Sequence, residues 1–146
     1  MVRIEKSVVI KAPPEKVWEM LAFDRMSDWM GDWKSVAFTS EVRTPEDKYS
    51  VGVSAHVIEK HAKYDMEITE SLENEKIMYS SKGIAGGISH LTLTYTLKPV
   101  EGGTEVIYAC DCWGWWILCP IIEGLLGEKH LGVETSLNNL KSILEK

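Results

Sequence analysis

The sequence predicts an α+β fold in which an antiparallel sheet is followed by a C-terminal helix. A strand pattern and a proline-initiated helix come first, segments of alternating apolar and polar residues follow, and the last residues are apolar at helical spacing. With 146 residues, of which 45% are hydrophobic, one domain over residues 1–146 can bury a core without disulfides or metal.

The N-terminal segment predicts a strand at residues 4–10 and a short helix after it. Pro14 fits the first helical turn, where its missing N–H leaves no hydrogen bond unmade, and Glu15 complements the positive helix end. The buried stripe of this helix is Val17, Trp18 and Leu21. A second short turn is expected to hold both Trp29 and Trp33.

The middle of the chain predicts six strands joined by short turns, which favours a meander. In order they are residues 34–43, 51–60, 63–72, 76–82, 88–98 and 104–113, with turns at Pro45-Glu46-Asp47, Asn74-Glu75, the glycines at 83–87, and Glu101-Gly102-Gly103. The alternation is clearest in the fifth of these, where Leu91, Leu93, Tyr95 and Leu97 alternate with Thr and Lys. One apolar and one polar face are typical of an antiparallel sheet with one side in water.

The C-terminal segment predicts a helix over about residues 127–145. Its apolar stripe is Ile122, Leu126, Val133, Leu137, Leu140 and Leu144, which are separated by four, seven, four, three and four residues.

The segment Ile10-x-Ala12-Pro13-x-Glu15-x-Val17-Trp18, with Trp29 eleven residues on, resembles the N-terminal motif of the START/Bet v1-like (SRPBCC) superfamily. That superfamily contains polyketide cyclases/dehydrases and lipid-transfer domains. The resemblance implies the helix-grip fold: two short helices after the first strand, and a curved antiparallel sheet of about seven strands around a long C-terminal helix. It also implies a cavity between sheet and helix.

By the same resemblance, the expected function is to bind a hydrophobic or aromatic small molecule in that cavity, for transport or sequestration. One alternative is a polyketide cyclase/dehydrase-type enzyme, in which His130, Tyr95 and Tyr108 would transfer protons on a poly-carbonyl or aromatic precursor. Binding without turnover is favoured, because no paired carboxylates fall on an inward face. Another alternative is a protein-interaction module of the chaperone-activator type.

Candidate ligand-binding residues are mixed in size, and several carry a polar tip on an apolar body. They are Ala55, Met66, Tyr79, Tyr95, Tyr108 and Cys110 on the sheet, and Trp113, Leu126, His130 and Val133 near or on the helix. The tyrosines also fit a filled core in which they bond to one another or to water. His130 also fits the edge of the helix stripe, paired with Glu134.

Residues 112–127 contain a single charged residue and include Trp113, Trp115 and Trp116. The segment is too short and too interrupted by glycine to span a bilayer. It fits a cap on the core, a lid over the ligand path, a dimer contact, or peripheral membrane contact through its tryptophans. A monomer and a homodimer therefore both remain open.

Charge and motifs exclude other classes of function. A net charge of −6 argues against nucleic acid as a partner. The cysteines at 110, 112 and 119 have poor spacing for zinc, and no cofactor motif occurs, so neither metal nor cofactor is expected. A strand pattern directly after Met1, with no signal peptide, indicates a cytoplasmic location.

Overall fold

The computed structural model describes residues 2–30, 33–59, 63–81, 89–114 and 135–145. These residues form the predicted α+β helix-grip architecture, with seven described strands, two short helices after the first strand, and a helical C-terminal segment. In chain order the elements are β1 (Val2–Ile10), α1 (Pro14–Glu19), α2 (Phe23–Met26), β2 (Trp33–Phe38), a 3-10 helix (Pro45–Tyr49), β3 (Ser54–Glu59), β4 (Lys63–Leu72), β5 (Lys76–Ser81), β6 (Ser89–Val100), β7 (Gly103–Gly114) and the C-terminal helix (residues 135–144).

The sheet is an antiparallel meander from β2 to β7, with β1 added beside the last strand. Its spatial order is β1-β7-β6-β5-β4-β3-β2. Ile10 of β1 lies opposite Thr104 at one end of the β1–β7 pair, and Ile4 lies opposite Cys110 further along. The meander predicted from short turns is therefore confirmed, and β1 forms the edge strand beside β7.

One face of the sheet is buried and the other is largely in contact with water. In β6, Leu93, Tyr95 and Leu97 are buried, whereas Thr94 and Thr96 between them are half-exposed. The same alternation continues in β5 and β7, so the inward residues of neighbouring strands form continuous cross-strand rows.

The two short helices cover part of the buried face. Helix α1 packs on β6 and β7, and helix α2 packs on β2. Trp18 of α1 is 5% exposed, as its apolar stripe predicts, and its ring stacks on Tyr49 with centroids 5.2 Å apart. The indole N–H of Trp29 donates to the Met20 carbonyl oxygen at 2.8 Å, which fixes the chain after α2 against the end of α1.

The turn into β7 lies against the chain that leaves β1. The Thr104 hydroxyl donates to the Ala12 carbonyl oxygen at 2.8 Å, and the Thr104 side chain is fully buried. A Cβ on Gly103 would overlap the carbonyl oxygen of Ile10. Glycine is therefore the residue that allows this close approach of two backbones.

The C-terminal helix lies near β1 and the chain after α2. Leu137 and Leu140 are buried, at 3% and 0% exposed. Lys141 Nζ donates to the Val9 carbonyl oxygen at 2.8 Å, and Asn139 Nδ2 donates to that of Trp29 at 3.3 Å. The predicted start of this helix at residue 127 lies outside the described residues.

Two predicted strands were too long. The strand predicted at 51–60 begins at Ser54, because Gly52 has a φ of 95° and Val51 is 63% exposed in the preceding turn. The strand predicted at 34–43 ends at Phe38. Alternating apolar residues indicated a strand from residue 51, but the turn at Gly52 delays the start of the pairing.

Two local predictions near the helices also need correction. The turn predicted at Pro45 is a 3-10 helix, in which Asp47 accepts a hydrogen bond from the Thr44 backbone N–H at 3.1 Å. Trp29 and Trp33 do not share one turn, because Trp33 opens β2. In the ranges described above, no helix is long and apolar enough to cross a membrane.

Candidate functional site

Three tyrosines from adjacent strands form the centre of the buried sheet face; we call Tyr79, Tyr95 and Tyr108 the tyrosine cluster. Tyr95 on β6 and Tyr108 on β7 are direct cross-strand partners whose ring centroids lie 5.3 Å apart. Tyr79 on β5 lies 6.2 Å from Tyr95, and the two rings meet edge to face. Tyr79 and Tyr95 are fully buried, and Tyr108 is 6% exposed.

Aromatic rings from the helices extend the tyrosine cluster. Phe23 of α2 lies 5.1 Å from Tyr79, and Trp29 meets Tyr95 edge to face at 5.6 Å. Edge-to-face pairs of this kind are favourable beyond the area they bury. The tyrosine cluster therefore packs between the sheet and the segment that contains α2.

The hydroxyl groups of two of these tyrosines have acceptors inside the protein. Tyr79 donates to the Leu21 carbonyl oxygen, and Tyr95 lies 3.5 Å from Met30 Sδ, a weak acceptor. Burial raises the pKa of both phenols well above the usual value near 10; the neighbours Tyr95 and Tyr49 add to the rise for Tyr79, and Cys110 adds to it for Tyr95. Both stay neutral at physiological pH, so they can donate hydrogen bonds but cannot act as bases.

Smaller side chains follow the tyrosine cluster along the same face, in the direction away from Thr104. The inward patch, as we call it, consists of Ala55, Met66, Ser81, Leu93 and Cys110. Ala55, Met66 and Ser81 are direct neighbours across β3, β4 and β5, and Tyr64 lies one row beyond Met66. Ala55 and Ser81 have shorter side chains than Tyr64 and Tyr79 in the rows on either side.

The structure places all six sheet residues proposed from the sequence on the inward face, at 0% to 6% exposure. It brings Tyr79, Tyr95, Tyr108 and Cys110 together, while Ala55 and Met66 lie further along the sheet on β3 and β4. Their roles in ligand binding stay predictions. The Trp113 side chain, Leu126, His130 and Val133 lie outside the described residues, as does most of the tryptophan-rich segment 112–127.

Lys6 is an inward-facing residue that the sequence prediction missed. It lies opposite Tyr108 in the β1–β7 register and is half-buried, whereas Glu5 and Ser7 on either side are exposed. The available signal was the alternation of the strand, because Lys6 lies an even number of positions from the buried Ile10 and therefore on the same face. A lysine is normally assigned to solvent, which is why that signal carried little weight.

Cys110 is buried and is not part of a disulfide. Within the part of the chain that the structure describes, no three His, Cys, Asp or Glu side chains lie close enough together to hold a metal ion.

Comparison with solved structures shows the same fold in proteins of low sequence identity. Protein MLL2253 from Mesorhizobium loti has a TM-score of 0.74 at 19% identity, covering 98% of this chain and 96% of its own. The Aha1 dimer from Colwellia psychrerythraea has a TM-score of 0.70 at 20% identity, covering 99% and 97%. DynU16, a putative protein in the dynemicin biosynthetic locus, has a TM-score of 0.68 at 17% identity; the alignment covers 99% of this chain and 47% of DynU16.

No curated protein matches the sequence. Residues 1–145 match the family described as polyketide cyclase / dehydrase and lipid transport. The SRPBCC-type resemblance of the N-terminal motif and the helix-grip fold agree with this match. The chain therefore belongs to the polyketide cyclase / dehydrase and lipid transport family.

Proposed function

We propose that this protein binds a hydrophobic or aromatic small molecule on the inward sheet face, between the inward patch and the C-terminal helix, and transports or sequesters it. The observation that carries the proposal is the step in side-chain size from the tyrosine cluster to Ala55 and Ser81. An apolar recess with a few fixed polar groups is the usual form of a small-molecule site. Membership of a family that includes lipid transport supports the same class of ligand.

The tyrosine cluster supplies the fixed wall of the proposed site. Its rings are held by Phe23 and Trp29, so the wall needs little reorganisation when a ligand binds. Tyr108 stands at the side of the cluster nearest to β1, and Cys110 follows it on the same face. An aromatic ligand would stack against these rings, and an aliphatic one would lie along them.

A saturation experiment with N-phenyl-1-naphthylamine, a neutral apolar dye, tests the proposal. Cys110→Phe adds a ring to the inward patch, and we expect it to abolish saturable binding while leaving the circular dichroism spectrum unchanged. Thr94→Phe is the matched control, since Thr94 lies on the opposite face of β6. Equal saturable binding in the Cys110→Phe and Thr94→Phe variants would place the dye elsewhere and contradict the proposal.

A cyclase/dehydrase activity is the second candidate, and the adjacency of Tyr95 and Tyr108 favours it. A neutral phenol can polarise a carbonyl oxygen by donating a hydrogen bond, and a separate base must then take the proton. In this candidate mechanism His130 is that base. His130→Ala and Tyr108→Phe are then expected to abolish turnover of a poly-carbonyl precursor and to leave its affinity nearly unchanged.

A further inference from the structure

A second cavity lies away from the tyrosine cluster, in a groove between three elements of the fold. Its walls come from α1, from the 3-10 helix and the turn after it at residues 45–51, and from the β4–β5 connection at residues 71–74. The groove has a volume of about 690 Å³, which is within the range of known ligand sites. It shares no residue with the tyrosine cluster or the inward patch.

The groove contains aromatic and aliphatic surface. The rings of Trp18 and Tyr49 stack with centroids 5.2 Å apart and an angle of 24° between their planes. Trp18 is buried and Tyr49 is half-buried, so the Tyr49 ring is the part of this stack that a ligand can reach. Val51 in the same groove is 63% exposed, and Leu72, between two residues that line the groove, is 49% exposed.

The charge of the groove is negative on all three walls. Its exposed glutamates are Glu15 and Glu19 on α1, Glu46 on the 3-10 helix and Glu73 in the β4–β5 turn. Lys48 also lines the groove, but its Nζ is paired with Asp24 at 2.8 Å. A cationic ligand would therefore meet carboxylates from three directions.

The ionisation of Tyr49 agrees with a negative potential at this surface. Burial raises the pKa of the Tyr49 phenol, and the charges of Asp24 and Glu19 raise it further, against the opposite effect of Arg25. The phenol therefore stays neutral at physiological pH. A cation that lies on the neutral ring is attracted by its π face as well as by the carboxylates around it.

We infer that this groove binds a basic, extended peptide segment of another protein, whose Lys or Arg side chains pair with the glutamates while an apolar side chain lies on Tyr49 and Val51. Charge complementarity selects the basic side chains, and the exposed apolar surface beside them selects a partner that also carries an apolar group. A single ammonium group cannot pair with carboxylates on three walls, whereas a peptide with several basic side chains can. The inference does not depend on the ligand of the inward face.

Two capped peptides test the inference by isothermal titration calorimetry at low salt. One is acetyl-Lys-Leu-Lys-Val-Lys-amide, and the other has glutamine in place of each lysine. We expect saturable binding of the lysine peptide, weakened by added salt, and no measurable binding of the glutamine peptide. Equal affinity for the two peptides, or no binding of either, would overturn the inference.

Paired substitutions locate the binding site. Glu15→Gln combined with Glu73→Gln removes a charge from each of two walls and should lower the affinity for the lysine peptide roughly 2-fold to 30-fold, as for two exposed ion pairs. Glu5→Gln combined with Glu101→Gln is the matched control, since it makes the same change in net charge at exposed positions that do not line the groove. Val51→Ser should lower the affinity roughly 2-fold to 5-fold through lost apolar contact.

The remaining outcomes separate this groove from other sites and other ligands. Equal affinities in the groove pair and the control pair would contradict binding in the groove. Binding of spermine, with the same dependence on Glu15 and Glu73 but without binding of the lysine peptide, would assign the groove to a free amine and overturn the peptide. Saturable binding of N-phenyl-1-naphthylamine should be the same in all of these variants, so a failure of the groove is distinguishable from a failure of the inward site.

Discussion

The Tyr79 hydroxyl donates a hydrogen bond to the carbonyl oxygen of Leu21, 58 residues earlier in the chain. This bond joins the middle strand of the sheet to the connection between α1 and α2 inside the core, where both residues are fully buried. It is also the contact that fixes one side of the tyrosine cluster. The site proposed above therefore depends on a polar contact as well as on packing.

Tyr79→Phe should lower the free energy of unfolding by about 1–3 kcal/mol, because it leaves the Leu21 carbonyl without this donor in a buried position. Tyr49→Phe is the matched control: the Tyr49 hydroxyl donates to the Glu19 carbonyl oxygen at 3.2 Å in an exposed setting. There water can replace the lost donor, so the expected loss is smaller. Urea denaturation measures both, and equal losses would show that the buried bond adds nothing.

Alkaline conditions should destabilise the protein through Tyr79 and Tyr95. Burial raises the pKa of both in the folded state, so above about pH 10 the unfolded chain releases protons that the folded chain keeps. Their contribution to stability is present below the unfolded pKa and is lost as the pH rises towards the folded value. The free energy of unfolding should fall by up to about 1.4 kcal/mol per pH unit for each tyrosine.

Urea denaturation at several values between about pH 9 and pH 11 measures this slope. Tyr95→Phe removes one of the two groups and should make the slope shallower, and Tyr49→Phe, at a half-exposed position, should change it less. A slope that is the same in all three proteins would mean that Tyr95 ionises in the folded state as readily as in the unfolded chain.

The inward tyrosines could be predicted from the sequence because strand alternation is a local property. Tyr95 sits between threonines in a regular alternating strand, and its direction follows from its position alone. The contacts of Phe23 with Tyr79 and of Trp29 with Tyr95 could not be predicted, since they depend on where the two short helices cross the sheet. Val51 was wrongly placed in a strand because it continues the local alternation, whereas the positive φ of Gly52 ends the strand.

Trp18→Ala should lower the free energy of unfolding by about 3–5 kcal/mol, as for other large buried aromatic residues. The ring is 5% exposed and stacks on Tyr49, so its removal opens a cavity and also loses that contact. Trp18→Phe keeps most of the apolar surface and should cost less. A denaturation midpoint that barely moves in Trp18→Ala would contradict the packing of α1 on the sheet.

Gly103→Ala should destabilise the fold more than Gly102→Ala, although only Gly102 has a positive φ, of 81°. A Cβ at Gly102 meets no other atom, so the loss there comes from backbone strain alone, about 1 kcal/mol. At Gly103 the new methyl group overlaps the Ile10 carbonyl oxygen, and the start of β7 must move away from β1.

That movement would also lengthen the bond from the Thr104 hydroxyl to the Ala12 carbonyl, which is 2.8 Å in the native structure. A double-mutant cycle between Gly103→Ala and Thr104→Val tests the link, with free energies of unfolding from urea denaturation. The losses in the free energy of unfolding caused by the two single substitutions should add to more than the loss in the double variant. The reason is that Gly103→Ala already breaks the bond that Thr104→Val removes. Strict additivity would mean that the glycine and the threonine hold the turn independently of each other.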